Sequence, residues 1–263
     1  MEDYNITYNT QSLDSSESMP LGGHDAGCNV WVKDNELCIY MSQSGTFDEN
    51  GTMLKLGRMR LWLEEKEKLS VNFKQELELE KGQIQITAGE QDNEIRFLLW
   101  EDVSNANLHI NFQTEKKQRL RLSYDCWRYR DRPVLPEERG QCRNLATQRE
   151  NALEEQVITY ADGIEAGERS LLFWHENRND RLVYERAVSQ QHLESVRDAF
   201  PNWLENRIMG GYINCADLYF MGKEEGVCEN TDQMEYHYGS GDIDRTEVVV
   251  SLETGRYENW EAW

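Results

Sequence analysis

The sequence predicts an all-β protein, one large antiparallel β-sandwich with one short helix, and three observations carry that expectation. Apolar residues alternate with period two in run after run, as in strands with one buried and one wet face. The runs recur about every 10–12 residues with turn residues between them, the spacing of sandwich strands. No internal repeat of fixed period stands out, so nothing points to a solenoid or propeller.

The elements follow in order along the chain. Ser18 to Val32 passes through Leu21-Gly22-Gly23-His24-Asp25 into a strongly β run from Cys28 to Val32. Phe47 to Arg58 contains Asp48-Glu49-Asn50-Gly51, whose Asn-Gly pair suits the tip of a hairpin. Met59, Leu61 and Leu63 mark the next strand. Phe73, Gln75, Leu77 and Leu79 alternate, and Ile84 and Ile86 repeat the pattern across Lys81-Gly82, which reads as a hairpin. Ile95, Phe97 and Leu99 make one strand and Leu108, Ile110 and Phe112 another. Leu120, Leu122, Tyr124 and Cys126 make a longer one, with Arg119, Arg121 and Ser123 on its wet face.

Between Arg128 and Leu153 the period is lost, and two of the four prolines fall there, so a long loop is expected. Leu171-Leu172-Phe173 is a strand that ends at the polar mouth Trp174-His175-Glu176-Asn177. Ser189 to Phe200 places Leu193, Val196 and Phe200 on one helical face, closed by Pro201, as the one substantial helix. Strands resume at Ile208, Tyr212-Ile213, Leu218-Tyr219-Phe220 and Val248 to Leu252.

Composition narrows the class without naming a function. At 263 residues the chain fits one large sandwich domain. Hydrophobic residues make up only 38%, yet eight Trp, twelve Tyr and seven Phe supply core area. A net charge of -21 argues against nucleic acid, which is bound through clustered Lys and Arg, and against an anionic membrane surface. No apolar run approaches the roughly 20 residues that span a bilayer, and Met1-Glu2-Asp3-Tyr4 lacks the parts of a signal peptide.

Six cysteines lie far apart, with no C-x-x-C and no His at linear ligand spacing, so no zinc site is expected and reduced thiols are favoured over disulfides. The pair Asp242 and Asp244 reads as solvated charge in preference to a calcium site. Phosphate loops, dinucleotide fingerprints and nucleophile elbows are absent, so nucleophilic-hydrolase, nucleotide and dinucleotide readings have no motif and no cofactor is expected.

The residues that invite chemistry are few. His24 and Asp25 follow two glycines at a strand entrance, where His24 reads as a sugar-hydroxyl partner or as a solvated loop residue. Asp48 and Glu49 are neighbours, and on an extended chain neighbours point to opposite faces, so they cannot flank one glycosidic bond together. Either one alone, in concert with a partner domain, remains a substrate contact. Trp174, His175 and Asn177 set an aromatic ring beside hydrogen-bonding groups, the composition of a sugar platform, although Trp174 reads equally as core.

Four phrases in order carry a resemblance: Pro20-Leu21-Gly22-Gly23-His24-Asp25, the Phe47 to Arg58 segment, Phe173-Trp174-His175-Glu176-Asn177, and Phe200-Pro201-Asn202-Trp203-Leu204-Glu205-Asn206-Arg207 with Gly210-Gly211. They resemble the N-terminal β-sandwich domain, of unknown function, of bacterial glycoside-hydrolase-like proteins with a helical (α/α) barrel, similar in layout to inverting α-L-fucosidases. The resemblance implies a galactose-mutarotase-like, supersandwich-type fold over residues 1–255, with 256–263 opening a linker to a barrel domain that would hold the catalytic acid and base. It also implies an exported protein and a carbohydrate partner. Here Gly23 and His24 replace the family's Asn and second Gly, and Glu176 stands where Arg is usual. The leading expectation is a non-catalytic sandwich that shapes a carbohydrate site completed by the barrel. The alternatives are an autonomous carbohydrate-binding module and a small sandwich enzyme with its own site.

Overall fold

The computed structural model describes residues 4–142, 157–228 and 231–263. In chain order the strands are β1 (Ile6–Tyr8), β2 (Met19–Gly23), β3 (Ala26–Lys33), β4 (Glu36–Gln43), β5 (Arg58–Leu63), β6 (Lys74–Glu78), β7 (Gln83–Glu90), β8 (Asn93–Glu101), β9 (Asn107–Cys126), β10 (Arg132–Pro133), β11 (Ile158–Thr159), β12 (Gly163–Ala166) and β13 (Ser170–Glu176). The helix α1 (Val183–Gln190) follows, then β14 (Arg207–Asn214), β15 (Tyr219–Cys228) and β16 (Thr231–Arg256). Fourteen of the strands join one antiparallel sheet, and β10 and β11 pair apart from it.

Two long strands organise that sheet. The 20 residues of β9 and the 26 of β16 pair from Met234 opposite Cys126 to Ser251 opposite Asn107. Along its other edge, β9 takes β8 against its first half and β5 against its second. In the same way β16 takes β15 first and β14 later. One layer therefore runs β1-β6-β7-β8-β9-β16-β14-β13-β12, and a second hangs β2-β3-β4-β5 and β15 from the remaining halves. Register breaks between Gly239 and Asp242 and between Ile243 and Arg245 bend the pair from one layer into the other, the bending that bulges produce.

The layers share one core. Val30, Ile39, Met59, Leu61 and Leu122 from the second layer lie in the same buried cluster as Ile84, Phe97, Ile110 and Phe173 from the first. The Tyr124 and Phe173 rings stack across it at 4.7 Å, and Gln75 Nε2 donates to Val30 O at 3.1 Å. Each such side chain stabilises by about 1.5–3 kcal/mol when fully buried. No disulfide links cysteines among the described residues. Burial raises the thiols of Cys28 and Cys126 well above their ordinary range and those of Cys38 and Cys215 to about 12.

The expected all-β architecture with one short helix is what forms, with differences in extent. The runs Leu108–Phe112 and Leu120–Cys126 belong to one strand, and Val248–Leu252 is the end of a strand that starts at Thr231. The expected hairpin at Lys81-Gly82 joins β6 to β7, with Gly82 at φ +62. The helix lies earlier than its apolar spacing implies. It ends at Gln190, His192 turns to φ +58, and a 3₁₀ segment covers Glu194–Ala199. Leu193, Val196 and Phe200 then face solvent. Of the long loop, residues up to 142 are described and the remainder through Leu153 lies outside the described residues.

Gly57 marks the tightest point of the second layer. Its φ is +93, and a Cβ there would sit 2.5 Å from the Tyr124 ring, whose hydroxyl donates to Leu56 O at 3.1 Å. Gly57→Ala combines left-handed strain with overpacking, so it destabilises the fold by about 2–4 kcal/mol. The midpoint of urea unfolding measures this, and an unchanged midpoint would refute the assignment.

Candidate functional site

Three loops at one end of the sandwich meet over a buried ionic chain. The segment from Ser44 to Leu54 closes a tight turn: Asp48 N donates to Thr52 O, Gly51 N to Asp48 O, and Phe47 bridges Met53. Asp48 Oδ1 accepts from the backbone N–H groups of Asn50 and Thr52 at 3.0 and 2.7 Å. This is the turn that the Asn50-Gly51 pair suggests, and it aims Glu49 inward.

Glu49 there meets His175, whose side chain is 1% exposed. The ring donates from Nε2 to Glu49 Oε2 at 3.2 Å and from Nδ1 to Asp162 Oδ1 at 2.9 Å. Asp162 is also gripped by Arg128, whose Nε and Nη2 reach its two oxygens at 2.9 and 2.8 Å. The remaining Glu49 oxygen accepts from Arg178 N at 2.9 Å, and Arg128 Nη1 donates to Lys55 O. The result is an alternating chain Arg128, Asp162, His175, Glu49 with every buried charge opposed.

Burial alone would push the imidazole down, but the hydrogen bonds and charges of Asp162 and Glu49 outweigh it and raise His175 to about 9. Burial likewise works against the Asp162 carboxylate, and Arg128 and His175 hold it below its ordinary value. Desolvation moves Asp48 the other way, up to about 6. At neutral pH His175 is an imidazolium with both N–H groups occupied. Held from both sides in this way, the imidazolium ties the loops that carry Glu49 and Asp162 together.

The other sequence-selected residues sort by position. Asn177 is buried, and its Nδ2 donates to both Phe47 O and Leu204 O at 3.0 Å, which ties the first loop to the segment before β14. Trp174 stacks on Trp260 at 4.5 Å and 19°, so its face is covered by the C-terminal segment. His24 and Asp25 lie apart, on the turn between β2 and β3. His24 Nδ1 is 2.9 Å from Asp25 Oδ1, and Asp25 accepts from Gln43 Nε2 at 3.0 Å. His175, Glu49 and Asn177 thus come together as an enclosed set, and Asp48 lines an open cleft.

That cleft, of about 320 Å³, falls within the size of small-ligand sites, roughly 300–1,000 Å³. Tyr40 and Trp127 meet edge-on in its wall at 6.1 Å, and Lys55 Nζ stands 4.1 Å over the Tyr40 ring. Arg128 and Asp48 join it to the ionic chain, while Arg132 and Gln233 add donors. Sequence reading missed Asp162 and Arg128, because neither sits in a motif. The available signal was Arg128 standing just past a buried strand end and Asp162 just before Gly163.

A family described as a domain of unknown function, DUF5703, matches residues 7–263. The chain belongs to this family. No curated protein matches it. Among solved structures, a putative kojibiose phosphorylase from the human microbiome is similar with 12% identity and a TM-score of 0.40, over 97% of this chain and 33% of that one. The chain therefore spans about a third of that phosphorylase.

The raised pKa values share one sign. His175 rises from 6.5 to about 9, so its contribution is complete below about 6.5 and is lost as pH climbs through about 9. Asp48 rises by burial from 3.8 to about 6, so its contribution is complete below 3.8 and is lost as pH passes about 6. Stability measured by denaturant unfolding falls from pH 5 to pH 9, and His175→Gln removes the part of the fall between pH 7 and pH 9. His175→Ala, which leaves Glu49 without its cation, costs about 3–5 kcal/mol at pH 7. A His175→Ala protein of unchanged stability would overturn the ionic chain.

Proposed function

We propose that this chain is the non-catalytic sandwich of a glycoside-hydrolase-like protein, and that it supports a carbohydrate site completed by an (α/α) barrel domain. The observation that supports this most is an apolar strip at the same end as the ionic chain. Leu193, Val196, Phe200 and Trp203 are all exposed, the last two at 64%. Large apolar residues exposed together along one short segment fit an interaction site better than singly scattered ones do.

The segments on either side of the strip reach both the first loop and the C-terminal segment. Val183 N donates to Glu49 O, Tyr257 N to Asn206 O, and Arg256 Nε to Glu205 O. A domain seated here would touch the strip, the Ser44 to Leu54 loop and the Trp174–Trp260 stack together. Asp48 and the cleft would then lie beside its rim. The barrel supplies the acid and base, and the sandwich supplies a rigid wall.

A second reading, an autonomous carbohydrate-binding module, is favoured by the cleft itself. Its Tyr40–Trp127 wall and polar rim suit stacking of a sugar ring with hydrogen bonds to its hydroxyls.

The test is co-expression of the chain with the region encoded next in its native gene. A complex that survives gel filtration, and that Phe200→Ser with Trp203→Ser dissolves, is the expected outcome. The isolated chain leaves a panel of aryl glycosides unhydrolysed. An immediate stop codon, or a complex indifferent to both substitutions, would overturn the reading. Saturable quenching of tryptophan fluorescence by soluble glucans, lost in Trp127→Ala, would instead establish the binding module.

A further inference from the structure

A second cluster lies on the β15–β16 ribbon, joined to the cleft through Gln233. Glu224 stands directly opposite Glu235 in the register, and His237 follows Glu235 by two residues on the same face. Like charges set directly across a sheet destabilise it, so the pairing needs a compensating cation. Arg60 supplies part of it, with Nη2 2.6 Å from Glu235 Oε2, and Gln233 Nε2 holds the other Glu235 oxygen at 2.7 Å. Glu224, 71% exposed, makes its one ionic contact among the described residues with His237.

His237 carries the independent observation. Its Nε2 is shielded from solvent and has no hydrogen-bond partner, although Glu224 Oε1 is 3.1 Å away and Glu235 Oε2 3.6 Å away. The ring nitrogen lies near both oxygens without pointing at either in hydrogen-bond geometry. Ligands of one tetrahedral ion have this relation. With arms of about 2.0–2.1 Å, their mutual separation is about 3.3 Å, and each points at the ion instead of its neighbour. All three ligand atoms fall within 4.8 Å of one another.

We propose that Glu224, Glu235 and His237 bind a divalent transition ion of the zinc type, which clips β15 to β16. The imidazole selects against calcium and magnesium, which take oxygen ligands. Gln233 orients Glu235 through its other oxygen, as outer partners of metal ligands do, while Arg60 shares Oε2 with the ion. Three protein ligands leave a fourth position for water. Arg60 also places a positive charge beside one ligand, so the site is weaker than a closed structural zinc centre. The proposal is independent of the carbohydrate reading.

The experiment is a calorimetric titration of the tag-free chain with ZnCl₂ up to about 100 µM, a range that resolves micromolar binding. One Zn²⁺ per chain is expected, with affinity reduced at least about tenfold in both His237→Ala and Glu224→Gln. Glu224 is exposed, so its variant keeps the fold, and equal melting of all proteins in EDTA checks this. Trp62 meets His237 edge-on at 6.4 Å, so quenching of its fluorescence by Cu²⁺, lost in Trp62→Phe, reports occupancy at this position. No binding in that range, or binding that both variants retain, would overturn the site.

Discussion

Two long strands, paired antiparallel from Met234–Cys126 to Ser251–Asn107, are what every other element attaches to. Each offers its outer edge twice, so four sets of strands hang from one pair. Because the pair bends near Gly239 to Arg245, the sets stack as two layers over a common core instead of spreading as one flat sheet. Open sheets of this many strands tend to curl or divide, and here a single bent pair does both. The loops that matter follow from this, since β12, β13 and β14 lie on one flank and bring Asp162, His175 and Arg207 to the same end.

Within that frame the distribution of charge is selective. The chain has 49 acidic residues and 28 Lys and Arg, yet several of its buried carboxylates meet cations. Asp162 and Glu49 have Arg128 and His175, and Asp125 is shared by Arg58 and Arg60 at 2.9 and 2.7 Å. Buried ion pairs add little net stability compared with apolar packing, but removing one member is costly. Their effect here is geometric. They set the angle at which three irregular segments leave the sheets, so the cleft beside Asp48 and Arg128 has a fixed wall before any partner arrives.

The strands were legible because period two survives wherever one face is wet. Their true lengths were not. Gln113 to Arg119 carries polar residues on both faces, which reads as a break, although β9 runs through it to meet the bend of β16. Glu49 and His175 were legible as chemistry-bearing residues, but not as partners, since 126 positions separate them and only the fold brings them to 3.2 Å. The apolar face of Leu193, Val196 and Phe200 was correctly seen as apolar. Its spacing could not show that His192 would turn to positive φ and leave it outside. Linear spacing also hid the ribbon cluster, where two ligands share a strand at i and i+2 and the third comes from its neighbour.

The sealing of the thiols reaches beyond packing. Thiolates, not thiols, attack peroxides and disulfides, and burial keeps Cys28, Cys38, Cys126 and Cys215 protonated far above neutral pH. Cys142 is buried as well, and only Cys228 is partly open. Its Sγ lies 2.8 Å from Arg58 Nη1, in the wall of the cleft that also holds Tyr40 and Trp127. Among the described thiols Cys228 is therefore the most open to an oxidant, and it stands in the wall of that cleft, which the buried Cys142 also lines. Oxidation of that sulfur would change the cleft before it changed the core.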